Sequence, residues 1–395
     1  MPPRDTSSER DERDGTDERD GPGRRDGTGK RDGIDEPDEP TTSRDSGAGS
    51  AKAGDEPGGK PSKPTMRDVA ARAGVSSMTV SRVLRDDPRI SESARGKVLS
   101  AVSALGYRLN ENARALRLGQ GTRLVALMVT NLANPFYSRL ALGLESELER
   151  HGLLTVVANT ADKEAKERAL TADFVGRRVE GLIVVPAGED HAHLRPEHTA
   201  GTPAVLVARP PVGHEADCVL VDDFGGGRSL AHRLIAEGHR RIAFLGNAEA
   251  VYTSSERLRG FLAAHDEAAV PHDPALVRQC GTDPVQALRA ARDLLTAGPT
   301  AVVTANNRNT LAVLRAAQAS GARVAVAGFD DVDTADLLDA PLTVAAYDAE
   351  EVGRRAARML VERLDAPSVK RGSRTSVVPV EIRTYRGAAR SEPTA

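Results

Sequence analysis

The sequence predicts a small all-α module followed by a two-lobed α/β core of doubly wound parallel sheets. Three observations carry that prediction. Residues 65–106 hold three short helical patterns, each with a polar start and the first and last with a glycine stop. Beyond residue 122, apolar runs alternate with helical patterns, as buried parallel strands joined by helices do. The runs LVALMV, GLIVVPA and AVLVAR of the first half are echoed by IAFLGN, AVVTANN and VAVAGFDD in the second. At 395 residues the chain also exceeds one ordinary domain.

Residues 1–64 are rich in Arg, Asp, Gly, Ser, Pro and Glu and almost lack apolar side chains. Such a segment cannot bury enough surface to offset its ordering entropy, so it is expected to be a disordered charged tail. Thr65 can cap the first helix, with Asp68 three residues on, close to a capping box. Val69 and Ala70 face inward, and Gly74 breaks the helix. Ser76 can cap a helix over 77–84 with Val80, Val83 and Leu84 buried. Ser91 can cap the third, with Val98, Leu99, Val102 and Leu105 inward and Gly106 at its end. Residues 107–121 are basic and weakly amphipathic.

The core begins with LVALMV (124–129), a buried strand. Asn134-Pro135 starts the next helix, where Leu140, Leu144 and Leu148 share a face. LLTVVAN (153–159), GLIVVPA (181–187) and AVLVAR (204–209) read as further strands, then IAFLGN (242–247), AVVTANN (301–307) and VAVAGFDD (324–331). Two similar lobes with facing strand ends make a cleft, and ligands of such sheets sit beyond the carboxyl ends of the strands.

Charge divides the chain. Residues 1–64 carry 12 Lys/Arg and 17 Asp/Glu, residues 65–120 carry 10 and 5, and the remainder 32 and 35. Clustered positive charge in the small module is the footprint of a nucleic-acid binder. No run of about 18 apolar residues is present, so no membrane span is expected, and the polar N-terminus lacks a secretory pattern. The only cysteines, Cys218 and Cys280, form no metal-type cluster or disulfide framework, which suits a reducing cytoplasm.

The sharpest motif is DVAARAGVSSMTVSRVL, residues 68–84. A helix, a turn at Gly74-Val75 and a second helix make a helix-turn-helix. Ser77, Met78, Ser81 and Arg82 fall away from the buried stripe, as 77/81 and 78/82 are i, i+4 pairs. That face can enter a major groove, where Arg82 could read guanine. An ordinary helical hairpin is the plainer alternative.

With that motif stand ISESARGKVLSAVSALGYRLN, NPF at 134–136, GHRRIAFLG at 238–246, ERLRGF at 256–261, GFDD at 328–331 and PLTVAAYDAEEVGRRAA at 341–357. Together they resemble the lactose/galactose repressor (LacI-type) family of bacterial transcription regulators, from Thr65 to about Arg386. The resemblance implies a helix-turn-helix domain at 65–109 (motif 66–85), a hinge helix and linker at 110–121, and an effector-binding and dimerisation core at 122–390 like the periplasmic sugar-binding fold. Its N-lobe would take about 122–221 plus 349–377, its C-lobe about 222–348 plus 378–390. The resemblance makes Ser77, Met78 and Arg82 base readers and puts Thr79 and Ser81 near phosphates. Asn110 and Arg114 would flank Leu116, a minor-groove wedge of the kind that unstacks a base step. Leu109 stands where the family usually has Pro.

The resemblance places effector contacts at Asn134, Phe136 and Tyr137 from one lobe and Arg257, Asn306 and Asp330 from the other. Arg and Asp suit hydroxyl recognition, and aromatic rings stack on sugars or bases. Phe136 could instead be core, and Arg257 with Asp330 a structural ion pair. Three positions depart from the family pattern: Asn307 replaces an acidic residue, Ala208 an Asp, and Asp223 an Asn. With no Trp, stacking rests on Phe or Tyr. A sugar is the expected effector, with a nucleoside or purine as alternative. No catalytic set, metal site or cofactor is expected. His191, His193 and His198 are read as a solvated loop, and Gly225-Gly226-Gly227 as the approach to a helix without a phosphate-loop Lys. The implied partners are palindromic double-stranded operator DNA, a small effector and a second copy of the chain, with no membrane. A pure sugar-binding protein and an enzyme on the same fold are the competing classes; the helix-turn-helix opposes the first and the missing catalytic constellation the second.

Overall fold

The computed structural model describes residues 64–108, 122–332, 334–338, 341–366 and 372–386. Three helices open it: α1 (Met66–Ala73), α2 (Ser77–Val83) and α3 (Glu92–Leu105). Thr65 and Asp68 complete a reciprocal capping box on α1, and Ser76 and Ser91 cap the other two. Gly74 and Gly106 end α1 and α3 at φ +65° and +60°, left-handed conformations that glycine adopts without a Cβ clash. Val69, Val80, Val83 and Val98 form the shared core. Leu99, expected to point inward, is 50% exposed. It lies one residue beyond the buried Val98 and so turns off the apolar stripe.

The core holds two six-stranded sheets. The first has the order β11-β5-β4-β3-β1-β2. Its strands are β1 (Leu124–Val129), β2 (Leu154–Asn159), β3 (Gly181–Val184), β4 (Ala204–Val207), β5 (Asp217–Val221) and β11 (Thr375–Val378), all parallel. The second has the order β12-β10-β9-β8-β6-β7. It comprises β6 (Ile242–Asn247), β7 (Val277–Cys280), β8 (Ala301–Thr304), β9 (Ala325–Phe329), β10 (Leu342–Ala346) and β12 (Glu381–Tyr385), and only β12 runs antiparallel. β1, β3, β8 and β10 are almost wholly buried and read as mainly apolar runs. β2, β7, β11 and β12 are edges and stay largely open.

The chain leaves the first sheet after β5, returns after β10, and crosses again between β11 and β12. The helix after β5, α6 (Asp223–Ala236), therefore packs on the second sheet against α7 (Tyr252–Glu267). The helix after β10, α10 (Ala349–Asp365), packs on the first sheet against α4 (Pro135–Arg150). Each pair touches backbone to backbone. A Cβ at Gly143 would strike the Glu350 carbonyl, and one at Gly260 the Phe224 carbonyl. The remaining helices are α5 (Glu164–Gly176), α8 (Pro284–Thr296) and α9 (Asn307–Ser320).

Two loop readings need correction. Gly225, Gly226 and Gly227 lie inside the first turn of α6, not ahead of it, and a Cβ on Gly226 would meet the Phe329 ring. His191 and His193 are buried, not solvated. The His193 ring faces Glu167 at 3.0 Å, and Glu167 also accepts the Ala187 N–H at 2.8 Å. His198 is exposed. Among the described residues no group of three or more His, Cys, Asp or Glu side chains is placed to hold a metal ion, and no helix is long and apolar enough to cross a membrane.

Candidate functional site

A cavity of about 380 Å³ lies at the carboxyl ends of both sets of strands. Thr130 follows β1, Ala208 follows β4, Ala305 follows β8 and Asp330 follows β9, and all four line it. All six side chains proposed from the sequence to meet a ligand line this one cavity: Asn134, Phe136, Tyr137, Arg257, Asn306 and Asp330. Several lining residues are non-glycines at positive φ, with Asp330 at +67° and Ala208 at +64°. Such conformations cost of order 1–3 kcal/mol each and gather where function overrides local preference.

Helix starts position four of these groups. Asn134 caps α4, its side-chain oxygen accepting from Phe136 N–H at 3.1 Å. The same oxygen accepts from Asn307 Nδ2 at 3.2 Å, a hydrogen bond that joins α4 of the first lobe to α9 of the second. Asn306 caps α9 and donates to Asn247 at 3.2 Å. Phe136 and Tyr137 sit in the first turn of α4, their ring centres 5.0 Å apart. Phe136 also meets the Tyr347 ring at 5.9 Å, and Tyr347 meets Phe329 at 6.1 Å, which runs an aromatic path from one lobe to the other.

Arg257 on α7 is 6% exposed. Its Nε and Nη2 both bond to Asp223 Oδ1, at 2.8 and 2.7 Å. Nη1 donates to the Ala305 carbonyl and lies 3.9 Å from Asp330, and the guanidinium stacks 3.6 Å from the centre of Phe329. Burial works against the Arg257 charge, but Asp223 and Asp330 outweigh it and hold the proton more firmly than usual. Burial pushes the Asp223 carboxyl up to about 6, with Arg257 opposing. Tyr347 donates to Asp330 at 2.7 Å, and burial followed by the Asp330 charge lifts its hydroxyl well above the ordinary range. Arg257 and Asp330 are thus only loosely paired; the close partner of Arg257 is Asp223.

In the helical module, Ser77, Met78 and Arg82 of α2 are exposed, Met78 to 64%. Thr79 and Ser81 are half-buried. Thr79 Oγ1 lies 2.9 Å from Ser76 Oγ, and Ser81 accepts from Arg85 at 2.7 Å. Ser77, Met78, Ser81 and Arg82 share one outward surface, while Thr79 lies at its edge towards Val83. Asn110, Arg114 and Leu116 lie outside the described residues. The sequence marked Asp223 only as a departure from the family pattern and did not pair it with Arg257, and nothing local pointed to Tyr347.

Comparison with known proteins agrees with this geometry. Residues 122–386 match the family described as periplasmic binding proteins and sugar binding domain of the LacI family. Residues 65–110 match the bacterial regulatory proteins of the lacI family. The chain is 35% identical over 316 residues to the HTH-type transcriptional regulator CelR of Thermobifida fusca, covering 76% of this chain and 92% of the relative. It is 30% identical over 324 residues to the ribose operon repressor of Escherichia coli strain K12, covering 80% and 97%. A CelR–cellobiose complex superposes with TM-score 0.62 at 32% identity, over 81% of this chain and 98% of that one. The lac repressor dimer bound to operator and an anti-inducer superposes with TM-score 0.69 at 25% identity, over 81% and 97%. A match over the whole helical module and the whole core, with relatives above 30% identity across three quarters of the sequence, places this chain in the LacI family of bacterial regulatory proteins.

Proposed function

We propose that this LacI-family regulator binds palindromic operator DNA through α2, as a homodimer acting in the cytoplasm, and that a sugar held between the lobes switches its DNA affinity. The observation that carries the reading is the cavity of about 380 Å³, where both lobes contribute hydroxyl-directed groups and aromatic faces. Its size suits a small ligand. Asn134, Asn306, Arg257 and Asp330 offer donors and acceptors, and Phe136 offers an apolar face. The named binders among its relatives support the same class. The ligand would change the relative stability of two lobe arrangements, and a differential affinity is all that such a switch requires. Ser77, Met78 and Arg82 would read bases, with Thr79 and Ser81 at the backbone. Support for a second copy comes from β2, an open edge that leaves Leu154, Val156 and Val157 exposed, and from the exposed Leu142 of α4.

A gel-shift titration tests the reading. DNA from upstream of the gene and from its neighbours should be bound tightly, and scrambled DNA weakly, with affinity falling steeply as salt rises. Mono- and disaccharides should shift that affinity, by about 5–150-fold for a coupling of roughly 1–3 kcal/mol. Equal binding to scrambled DNA rejects the operator reading. A response to nucleosides or purines alone replaces sugar with the alternative effector class.

A further inference from the structure

We propose that Asp223 sets the charge selectivity of the cleft, restricting it to uncharged, hydroxyl-rich effectors and keeping phosphorylated or carboxylated ones out. This deepens the effector reading above and rests on it.

The argument starts from the donors of Arg257. A guanidinium holds a phosphate or carboxylate best as a fork, with two parallel N–H groups on two oxygens. The Nε/Nη2 edge of Arg257 is committed to Asp223 at 2.8 and 2.7 Å. Nη1 is committed to the Ala305 carbonyl and faces Asp330, and the Phe329 ring covers one side of the plane. What remain are one N–H on Nη1 and one on Nη2, and Asp330 already stands 3.9 Å from Nη1, so an anion would compete with a carboxylate for them while a hydroxyl oxygen would not.

Charge reinforces the geometry. Asp223 and Asp330 stand beside one Arg257, so this buried cluster carries one negative charge in excess when both are ionised. Asp223 Oδ2 is buried with no hydrogen-bond partner, so the cluster already holds an acceptor without a donor before any anion enters. The other two cations of the lining are each partly engaged. Arg209 is tied to Asp162 at 2.9 Å and to the Pro186 carbonyl at 2.7 Å. Arg308 donates to the Thr282 carbonyl at 3.2 Å, next to Asp283. Four helices start at the cavity, which by itself favours anions. Three of them, α4, α8 and α9, are closed by their own caps, Asn134, Asp283 and Asn306, while α7, entered through Val251, has no side-chain cap. A phosphate entering here would find the Nε/Nη2 fork of Arg257 taken and the Asp223 and Asp330 carboxylates beside it.

Calorimetric and thermal-shift titrations of the full chain with inorganic phosphate, glucose 6-phosphate and glucose test this. The parent protein should show no binding of phosphate or glucose 6-phosphate. Asp223→Asn removes a charge and loosens the hold on the Arg257 edge, since a neutral amide oxygen accepts more weakly than a carboxylate, and should bind inorganic phosphate about tenfold or more tightly than the parent. Asp330→Asn removes a charge but leaves the Asp223 clasp in place, and should gain much less. Binding of phosphate or glucose 6-phosphate in the parent cleft, competed by a sugar effector or lost in Arg257→Gln, overturns the proposal. So does a folded Asp223→Asn that gains nothing. If circular dichroism shows that Asp223→Asn does not fold, the parent titration alone decides. These arms are independent of operator assays: if no sugar alters DNA binding, the effector reading fails while the phosphate result still stands or falls by itself.

Discussion

Arg257→Ala is the most demanding test of how the cleft is held together. The side chain is 6% exposed and engages Asp223 through two donors, the Ala305 carbonyl and the face of Phe329. Removing it strands the Asp223 and Asp330 carboxylates in a poorly solvated place. Breaking a buried pair from one side typically costs about 3–5 kcal/mol, because the surviving charge keeps its desolvation penalty. For a core of this size each kcal/mol lowers the melting temperature by about 2–4 °C, so the expected loss is about 6–20 °C. Circular dichroism melts at pH 7.5 provide the measurement. The double variant Arg257→Ala/Asp223→Asn should recover part of the loss, since it deletes the stranded charge, and the double-mutant cycle reports the coupling. A loss below about 1 kcal/mol with no rescue by Asp223→Asn would refute the view that this pair joins α6 to α7.

Further expectations follow from the same coordinates. Arg82→Ala should cost about 1–3 kcal/mol of specific operator binding and leave non-specific binding nearly intact, read by gel shift against scrambled DNA; unchanged operator affinity would remove α2 from the base-reading role. Gly260→Ala should destabilise the core by about 1–3 kcal/mol, because its Cβ meets the Phe224 carbonyl, and an unchanged melting temperature contradicts the close α6–α7 crossing. Asp223 has a folded-state value raised from 3.8 to about 6, so the folded protein binds the extra proton between those values. Its contribution to stability is therefore fully present below 3.8 and is lost as pH rises through about 6, and the parent should lose stability relative to Asp223→Asn across that window. Asp330→Ala should keep operator binding near the parent level and abolish the response to the effector found by gel shift; lost DNA binding in a folded dimer would instead make Asp330 an interlobe structural residue.

Local chemistry explains what was legible without a structure. Thr65, Ser76 and Ser91 announce helix starts because their hydroxyls answer the first unpaired N–H groups, and Gly74 and Gly106 announce ends because the left-handed turn excludes most side chains. Central strands such as LVALMV and AVVT are visible because a strand covered on both faces has few polar positions. Spacing alone put Ser77, Met78 and Arg82 opposite Val80 and Val83. The edge strands β7, β11 and β12 carry no such mark, since half their side chains face water and their pairing depends on a chain that crosses between lobes. β5 and β10 are apolar but short, and a short apolar run does not distinguish a strand from a buried helix segment. Leu99 was misjudged because one step along a helix turns a side chain about 100° off the buried stripe. Only the tertiary structure decided the cleft wall. Arg257 finds Asp223 34 residues away, and Asn134 finds Asn307 173 residues away. Those pairs are fixed by helix packing and by where the strands end, and periodicity carries no information about contacts at that separation.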